Sequence, residues 1–469
     1  MQKIIVKNFR QISSAEVEIK NILFLIGEQA SGKSTLAKLI YFFKSLKEDY
    51  FNLIYENANK TDNKLETLFI QQIQNKFKVY FGYTTELDDD FEIIFCYNFI
   101  SNASNQNRYL KLSKNGSLRV EFDSDYFGKI IKNTRLLAKE INESIGSKVK
   151  PDENNYIVIE RAKRRLINNL TEKINKLFYD DFTPMFFPAG RNITVSYPEQ
   201  FQTLFLGNLY SSSTANESPA KSADMLLMKA FILHSKFLYD YFRSNNFESM
   251  ITDKENNDIS VEVFKFFKSH SEYILQGKYD NSDGNEKIVY ETATSKSISI
   301  NVASSGQQES IRIIQDLFYL LDRNQKSFRI IEEPEAHLYP KAQKKLIELL
   351  ALVANKTQSQ IIITTHSPYV LSILNNLLMY SEVIKNKPNT KNRIEEHFGT
   401  TQLNKSANER INLLSDQVQV YALSPNSEIY CHSVIDKETG LIGENYLDTI
   451  TEELNYDFEV LYSLNFSNK

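Results

Sequence analysis

The pattern of apolar and polar positions opens on two strands. Residues 2–7 alternate, and residues 15–26 carry a second apolar pattern after a short turn. The second strand leads into a glycine-containing loop and then an amphipathic helix from Lys33 to about residue 47. Residues 90–122 alternate again around a turn at Lys114-Asn115-Gly116, predicting antiparallel strands. Residues 126–147 and 158–178 place apolar side chains three and four apart, predicting helices. A short strand, 185–187, runs into Pro188-Ala189-Gly190-Arg191-Asn192, and residues 220–275 are helix-like. The polar segment DNSDGN, 280–285, is a candidate domain boundary. Strands at 287–292 and 297–302 follow, and helix and strand then alternate to about residue 366, as in a parallel sheet. The tail, 417–464, predicts two strands and a closing helix. No internal repeat or low-complexity segment interrupts this order. The expected fold class is α/β: a mixed sheet, an antiparallel β lobe and a helical insertion. The expected division is 1–195, 196–285 and 286–469.

Composition changes this picture little. Apolar residues make up 42% of the 469 and charged residues 24%, as in an ordinary globular chain. The net charge of −4 gives no support for nucleic acid, although a local basic face is compatible with it. The basic run Arg161, Lys163, Arg164, Arg165 reads first as a solvated helix face and second as a DNA-contacting surface. Two cysteines, Cys96 and Cys431, exclude a disulfide framework and a cysteine-rich metal site, and suit a reducing cytosol. The N-terminal residues form a strand pattern and not a signal peptide, and the longest apolar runs are too short to span a bilayer. A cytoplasmic location with no membrane partner is the expectation.

Four motifs carry chemistry. The first, Gly27-Glu28-Gln29-Ala30-Ser31-Gly32-Lys33-Ser34-Thr35, fits the phosphate-binding loop pattern between a strand and a helix. Gly27 and Gly32 let the backbone wrap close to phosphate, the successive N–H groups around Ala30 and Ser31 bind negative charge, Lys33 reaches the β- and γ-phosphates, and Ser34 ligates Mg²⁺. The second is the strand 328–331 ending in Glu332-Glu333, where one carboxylate can hold a metal shell and its neighbour can take a proton from water. A strand ending in surface acids is an equally ordinary reading of those residues alone, and Arg329 interrupts the apolar run. The third is Ile361-Ile362-Ile363-Thr364-Thr365-His366-Ser367. It sets a histidine at the end of a buried-looking strand, on the sheet edge where α/β sites form. The fourth, Ser304-Ser305-Gly306-Gln307-Gln308-Glu309, opens a helix whose N-terminus can receive a phosphate. By itself it reads first as a plain helix cap, with Ser304 or Ser305 as N-cap and Gln307 or Gln308 in the first turn.

In this order the motifs resemble the ABC ATPase superfamily: Walker A, signature, Walker B and switch histidine. Within it the chain is similar to the group containing RecF, SMC-like heads and OLD-type ATPases. The run Glu332-Glu333-Pro334-Glu335-Ala336-His337-Leu338-Tyr339-Pro340 is the most specific part, joined by Lys7-Asn8-Phe9-Arg10 and the Ser-Ser-Gly-Gln-Gln signature. The resemblance implies an ABC-type ATPase head built around the P-loop. In it Lys33, Ser34 and Thr35 hold phosphate and Mg²⁺, Glu332 supports the metal, Glu333 polarises water and His366 senses the γ-phosphate. Ser304, Ser305, Gly306, Gln307 and Gln308 complete the site of an opposite subunit. The Q-loop glutamine of the family has no clear counterpart; residues 188–192 supply Arg191 and Asn192 at a plausible place for it.

OLD nucleases follow the ATPase with a Toprim domain that needs an Asp-x-Asp. Only 103 residues follow His366, and they contain no Asp-x-Asp. Asp88-Asp89-Asp90 reads as an acidic loop. The resemblance therefore points to stand-alone ATPase subunits of PARIS- or Septu-type antiphage systems: an ATP-driven sensor or scaffold, homodimeric or larger, controlling a separate nuclease or toxin. A RecF- or SMC-like DNA-repair ATPase and a non-enzymatic ATP-switched platform are the alternatives. The roughly 270 residues between Lys33 and Ser305 argue against a transporter subunit.

Overall fold

The structure is a computed structural model. It describes residues 1–82, 87, 90–98, 108–122, 124–146, 153–196, 222–243, 246–255, 261–290, 296–386, 413–414, 416–443, 456 and 458–460. These fall into two compact units interleaved along the sequence: 1–19, 35–184 and 219–226 form one, and 20–34, 185–218 and 227–469 the other.

In the first unit, β1 (Gln2–Phe9), β2 (Ile12–Ile19), β4 (Glu92–Asn98), β5 (Arg108–Asn115) and β6 (Ser117–Phe122) make an antiparallel sheet in the order β2-β1-β4-β5-β6. The β1–β2 reversal is tight, with Phe9 opposite Ile12. Asn8 and Arg10 flank Phe9 in the left-handed region at φ 51° and 53°, while Phe9 itself is fully buried. The ring of Phe9 meets Phe77, Phe81 and Phe91 at 5.8, 5.4 and 5.2 Å, most of them edge-on. Phe77 and Phe81 come from α2 (Asp62–Phe81), a helix that the sequence pattern did not single out. Most of α1 (Lys33–Glu56) also packs here, with α3 (Ser124–Gly146) and α4 (Glu153–Phe178), which lie against each other. Of the basic run on α4, Arg161, Arg164 and Arg165 are exposed; the side chain of Lys163 lies outside the described residues.

The expected strand over 15–26 is two strands. Alternation ends at Ile19, the chain bends at Lys20-Asn21, and β3 (Ile22–Gly27) begins as an unbroken buried run in the other unit. The change from half-solvated to wholly buried strand is the physical reason.

The second unit is built on six strands in the order β14-β13-β3-β12-β11-β7: β14 (Cys431–Ser433), β13 (Val418–Leu423), β3, β12 (Gln360–Thr365), β11 (Ser327–Glu332) and β7 (Thr183–Phe187). β13, β3, β12 and β11 run parallel, and β14 is antiparallel to β13, so the sheet is mixed and the fold α/β. A small antiparallel sheet joins β8 (Lys278–Asp280), β9 (Lys287–Val289) and β10 (Ser297–Ser299). Where a strand to residue 302 was expected, β10 ends at Ser299 and residues 300–302 form a 3₁₀ turn that delivers Ser304 as a helix cap. DNSDGN is the turn between β8 and β9, closed by Asp280 and Asp283 side chains accepting the amides of Ser282 and Asn285. The helical stretch 220–275 is α6 (Ala223–Phe242), α7 (Phe247–Glu255) and α8 (Val261–Leu275). With the short α5 (Ile193–Ser196), the helices α9 (Ser305–Arg323), α10 (Pro340–Thr357) and α11 (Pro368–Asn386) complete the unit. Of the closing helix expected in the tail, Tyr456 and 458–460 are helical and the rest lies outside the described residues. Arg329, the apparent flaw in β11, is buried and paired with Asp316 of α9 at 2.7 and 3.0 Å. Among the described residues no helix is long and apolar enough to cross a membrane.

The first unit hides a charge cluster. Lys44 is 2.7 Å from Asp180 with both side chains fully buried, and Lys47 donates to the carbonyls of Asp180 and Phe182 at 3.0 and 2.6 Å. Burial pulls both lysines below their usual range, against the pull of Asp180. Asp180→Ala leaves two buried ammonium groups without their carboxylate. The expected loss of folding stability is about 3–5 kcal/mol, read from urea denaturation; a loss under about 1 kcal/mol would show that the lysines find other partners.

Candidate functional site

Strand register brings the site together. Ile363 of β12 lies opposite Phe24 of β3, Thr365 opposite Ile26, and Glu332 of β11 opposite Thr364. The three parallel strands thus end level, at Gly27, Thr365 and Glu332, and the loops that leave them meet at one sheet edge.

The loop after β3 turns through Gly27 at φ 150°, Ala30 at 61° and Gly32 at 90°. Only glycine adopts such angles freely, and Ala30 in the left-handed region costs about 1–2 kcal/mol. Lys33, at the start of α1, is buried and folds back over this loop. Its ammonium donates to the carbonyls of Gly27 and Glu28 at 2.8 and 2.7 Å and to Ser31 Oγ at 3.4 Å. Ser34 is exposed beside it, whereas Thr35 is buried and its hydroxyl accepts the Gln11 amide at 2.9 Å. The tail contributes as well: Tyr430, buried just before β14, donates to the Ser31 carbonyl at 2.7 Å.

The two acids at the end of β11 have different surroundings. Glu332 is buried; its Oε2 accepts the Ala189 amide at 3.1 Å, and its Oε1 is buried without a hydrogen-bond partner among the described residues. Glu333 is half-exposed, with backbone at φ 43° and its amide bonded to the Thr364 carbonyl at 2.9 Å. Its Oε1 lies 3.0 Å from His366 Nε2, and His366 Nδ1 lies 3.4 Å from the Lys33 ammonium. An ammonium can only donate, so these partners assign the tautomer: Nδ1 accepts from Lys33 and Nε2–H donates to Glu333. The hydrogen bond from His366 holds the Glu333 carboxyl below its usual range, outweighing partial burial. Glu335, a third acid named in the Glu332–Pro340 run but given no role there, is buried and accepts the Thr365 hydroxyl and, at 3.3 Å, the His366 amide. Burial raises its carboxyl above the usual range.

The helix-opening motif is a capping box. Ser304 Oγ accepts the Gln307 amide, and the Gln307 side chain accepts the Ser304 amide at 3.0 Å. Gln307 Nε2 donates to the Leu275 carbonyl at 2.6 Å, and Gln308 Nε2 donates to the carbonyls of Ile300 and Asn301 at 3.1 and 2.9 Å. Both glutamines are buried, while Ser304 and Ser305 are exposed at the helix start. A Cβ on Gly306 would stand 2.6 Å from the His337 carbonyl, so α9 can approach that backbone only with glycine there.

At the place considered for a Q-loop glutamine the structure puts a fully buried arginine. Arg191 donates to the carbonyls of Glu332 at 2.7 Å, Glu333 at 3.0 Å, Glu309 at 2.9 Å and Pro188 at 3.3 Å. Sequence reading flagged the position but not this task, because burial of a charged side chain leaves no periodic signal.

A left-handed loop with a buried lysine, two carboxylates and a histidine on one sheet edge is an arrangement that can receive a polyphosphate. The family model for the AAA ATPase domain matches residues 1–371. The chain belongs to that family. No curated protein matches the chain. Among solved structures, the AAA ATPase domain chain is similar to an SMC head bound to the C-winged helix domain of ScpA, at 12% identity over 79% of this chain and 90% of that one, TM-score 0.36. It is also similar to the SMC head domain from Thermotoga maritima, at 10% identity, 79% and 90% coverage and TM-score 0.32. The recombination mediator RecF with ATP matches at 11% identity, 78% and 93% coverage and TM-score 0.29. These likenesses are too distant to bear on function.

Burial draws the Lys33 ammonium down to about 8, against the opposing charges of Glu333, Glu335 and Glu28. A bound polyphosphate favours the charged form, so binding above pH 8 must take up a proton. Affinity for a non-hydrolysable ATP analogue is therefore expected to be level up to about pH 8 and to weaken up to about tenfold per pH unit beyond it. Lys33→Met should remove that slope. Calorimetry in buffers of differing ionisation enthalpy checks this: proton uptake at pH 9 but little at pH 7 is expected, and equal uptake at both would refute it.

Proposed function

We propose that this ATPase-family chain binds and hydrolyses ATP as an ABC-type enzyme of the OLD/RecF/SMC-like group, with each site shared between two copies of itself. The observation that carries the reading is the continuous chain Lys33–His366–Glu333 beside a left-handed phosphate loop. In this reading Gly27 to Thr35 hold the phosphates, Lys33 neutralises the charge that develops on them, and Glu333 takes the proton of the attacking water. The depressed carboxyl of Glu333 keeps it ionised as a base at neutral pH. His366 holds Glu333 in place through Nε2 and meets the Lys33 ammonium through Nδ1.

Among the described residues no cluster of three or more His, Cys, Asp or Glu could hold a metal alone. The exposed Ser34 and the buried, partnerless Oε1 of Glu332 fit Mg²⁺ shared with nucleotide phosphate. The ion would supply Lewis-acid charge stabilisation there. For the opposite site, the exposed Ser305 at the start of α9 is the available group, since the Gln307 and Gln308 side chains are engaged internally.

The finer role rests on the Glu332–Pro340 run. It is that of an ATP-switched sensor or scaffold in bacterial antiphage defence, whose dimer holds or releases a separate nuclease or toxin. The exposed Arg161, Arg164 and Arg165 on α4 favour a second reading, a DNA-binding repair ATPase. Salt-dependent duplex binding, lost when the three arginines are reversed in charge, would select it.

Glu333→Gln keeps shape but cannot accept a proton. It is expected to retain ATP and to lose turnover by about 10²–10⁴-fold, accumulating the ATP-bound assembly on a sizing column. Turnover near the parent rate would remove Glu333 from the chemistry.

Two-fold sharing of sites also makes a mixing experiment decisive. Lys33→Ala and Ser305→Arg chains, each unable to form an ATP-bound dimer alone, should form a mixed dimer that closes about one site on an ATP analogue. A mixture that stays monomeric with the analogue would argue for sites complete within one chain.

A further inference from the structure

Residues 188–196 touch both halves of the chemistry within one chain. On one side the Ala189 amide bonds the Glu332 carboxylate, and the Arg191 guanidinium bonds the carbonyls of both Glu332 and Glu333. On the other side Arg191 Nε bonds the Glu309 carbonyl at 2.9 Å and lies 3.3 Å from its carboxylate, and Ser196 Oγ donates to Gln308 Oε1 at 2.8 Å. Glu309 and Gln308 lie in the first turn and a half of α9, just behind the exposed Ser305.

The planar guanidinium is fully buried, and its donors diverge in a fixed fork. A shift of the start of α9 relative to β11 must therefore be followed by the guanidinium or break hydrogen bonds in a dry site, where each unpaired group is costly. Glu333 is the residue least able to ignore that motion. Its backbone is held at φ 43°, a left-handed angle that persists only where its surroundings impose it, and the Arg191 bond to its carbonyl is one of the constraints.

We propose that Arg191 is a positioning residue that couples the signature end of α9 to Glu333. A phosphate engaged at Ser305 then aligns the base in the same chain's own site. This rests on the reading of Glu333 as the base and of Ser305 as the contact to a second nucleotide. It makes the two shared sites of a dimer interdependent: the phosphate held at Ser305 in one site bears, through Arg191, on the base of the other. Lysine cannot replace the fork, because one ammonium does not span Glu309 on one side and Glu332 and Glu333 on the other.

The test uses the full chain with Arg191→Lys, Ser305→Ala and the double variant, measuring kcat, KM and ATP-analogue affinity. Arg191→Lys is expected to lower kcat by about 10²-fold, the scale of a misplaced catalytic group, with analogue affinity within a few-fold of the parent. The kcat effects of Arg191→Lys and Ser305→Ala should be non-additive, the second change adding little to the first. Independent, multiplying effects, or an unchanged kcat in Arg191→Lys, would overturn the coupling.

Should Arg191→Lys fail to fold, hydrogen exchange answers without touching Arg191. In a Glu333→Gln chain with ATP, residues 188–196 should gain protection, and a further Ser305→Arg change should abolish that gain. Protection of 188–196 that ignores Ser305 would also overturn the proposal. Full turnover in Glu333→Gln alone would instead overturn the underlying reading, whereas a dead Glu333→Gln beside a normal Arg191→Lys would sink only the coupling.

Discussion

Parallel pairing of β3, β12 and β11 is the constraint on which the site depends. The ladder fixes residue opposite residue, so β3 ends at the same height as two strands that lie about 300 positions further along the chain. A slip of one residue in either pairing would exchange the side chains that β12 presents to the two buried faces of the sheet, against packing fixed on both. Given that register, the phosphate loop, the acid pair and His366 have nowhere to be but side by side. The glycines and left-handed residues that follow are local answers to that placement, since the chain must turn sharply at each strand end.

The same edge gathers charge that burial makes expensive. Lys33 is inside its own loop, Glu335 lies under the His366 amide, and Arg191 is sealed behind both strand-end acids. Each is compensated in a different way. Lys33 uses carbonyl oxygens and a histidine nitrogen, Glu335 shifts toward its neutral form, and Arg191 uses four backbone carbonyls and the Glu309 carboxylate. Carbonyls do not titrate, so four of the five partners of Arg191 do not change with pH, whereas the Lys33 end of the site carries a lysine that burial draws down to about 8.

The signature motif admitted two readings, a plain helix cap and a phosphate contact, and the structure gives each a separate set of atoms. Ser304 and Gln307 form the capping box, and Gln308 ties the preceding 3₁₀ turn to the helix. Ser305 stays at the surface. The cap orients Ser305 at the helix start, and the two readings do not compete. Thr35 parts from Ser34 in a similar way, one hydroxyl bonded within the fold and the other exposed.

Much of this was legible in the chain. The loop 27–35, the acid pair, His366 and the alternation of helix and strand are local patterns, dictated by neighbours a few residues away. So was the α/β class, because strand and helix periods are written in the order of apolar residues. Other features had no local signature. The run 15–26 divides between two sheets because burial on both faces begins only at Ile22, and a strand's second face is a property of its neighbours. Arg329 looked like a defect in a core strand until Asp316 on another helix paired with it. Arg191, Glu335 and Tyr430 took their places through contacts 30 to 400 residues distant in sequence, such as the 399 positions between Tyr430 and Ser31. By itself the sequence determined which chemistry is present, since side-chain type and short-range backbone geometry travel with the motif. Only the tertiary structure decided which atoms remain available for it, because availability is what is left after every buried donor and acceptor has found its partner.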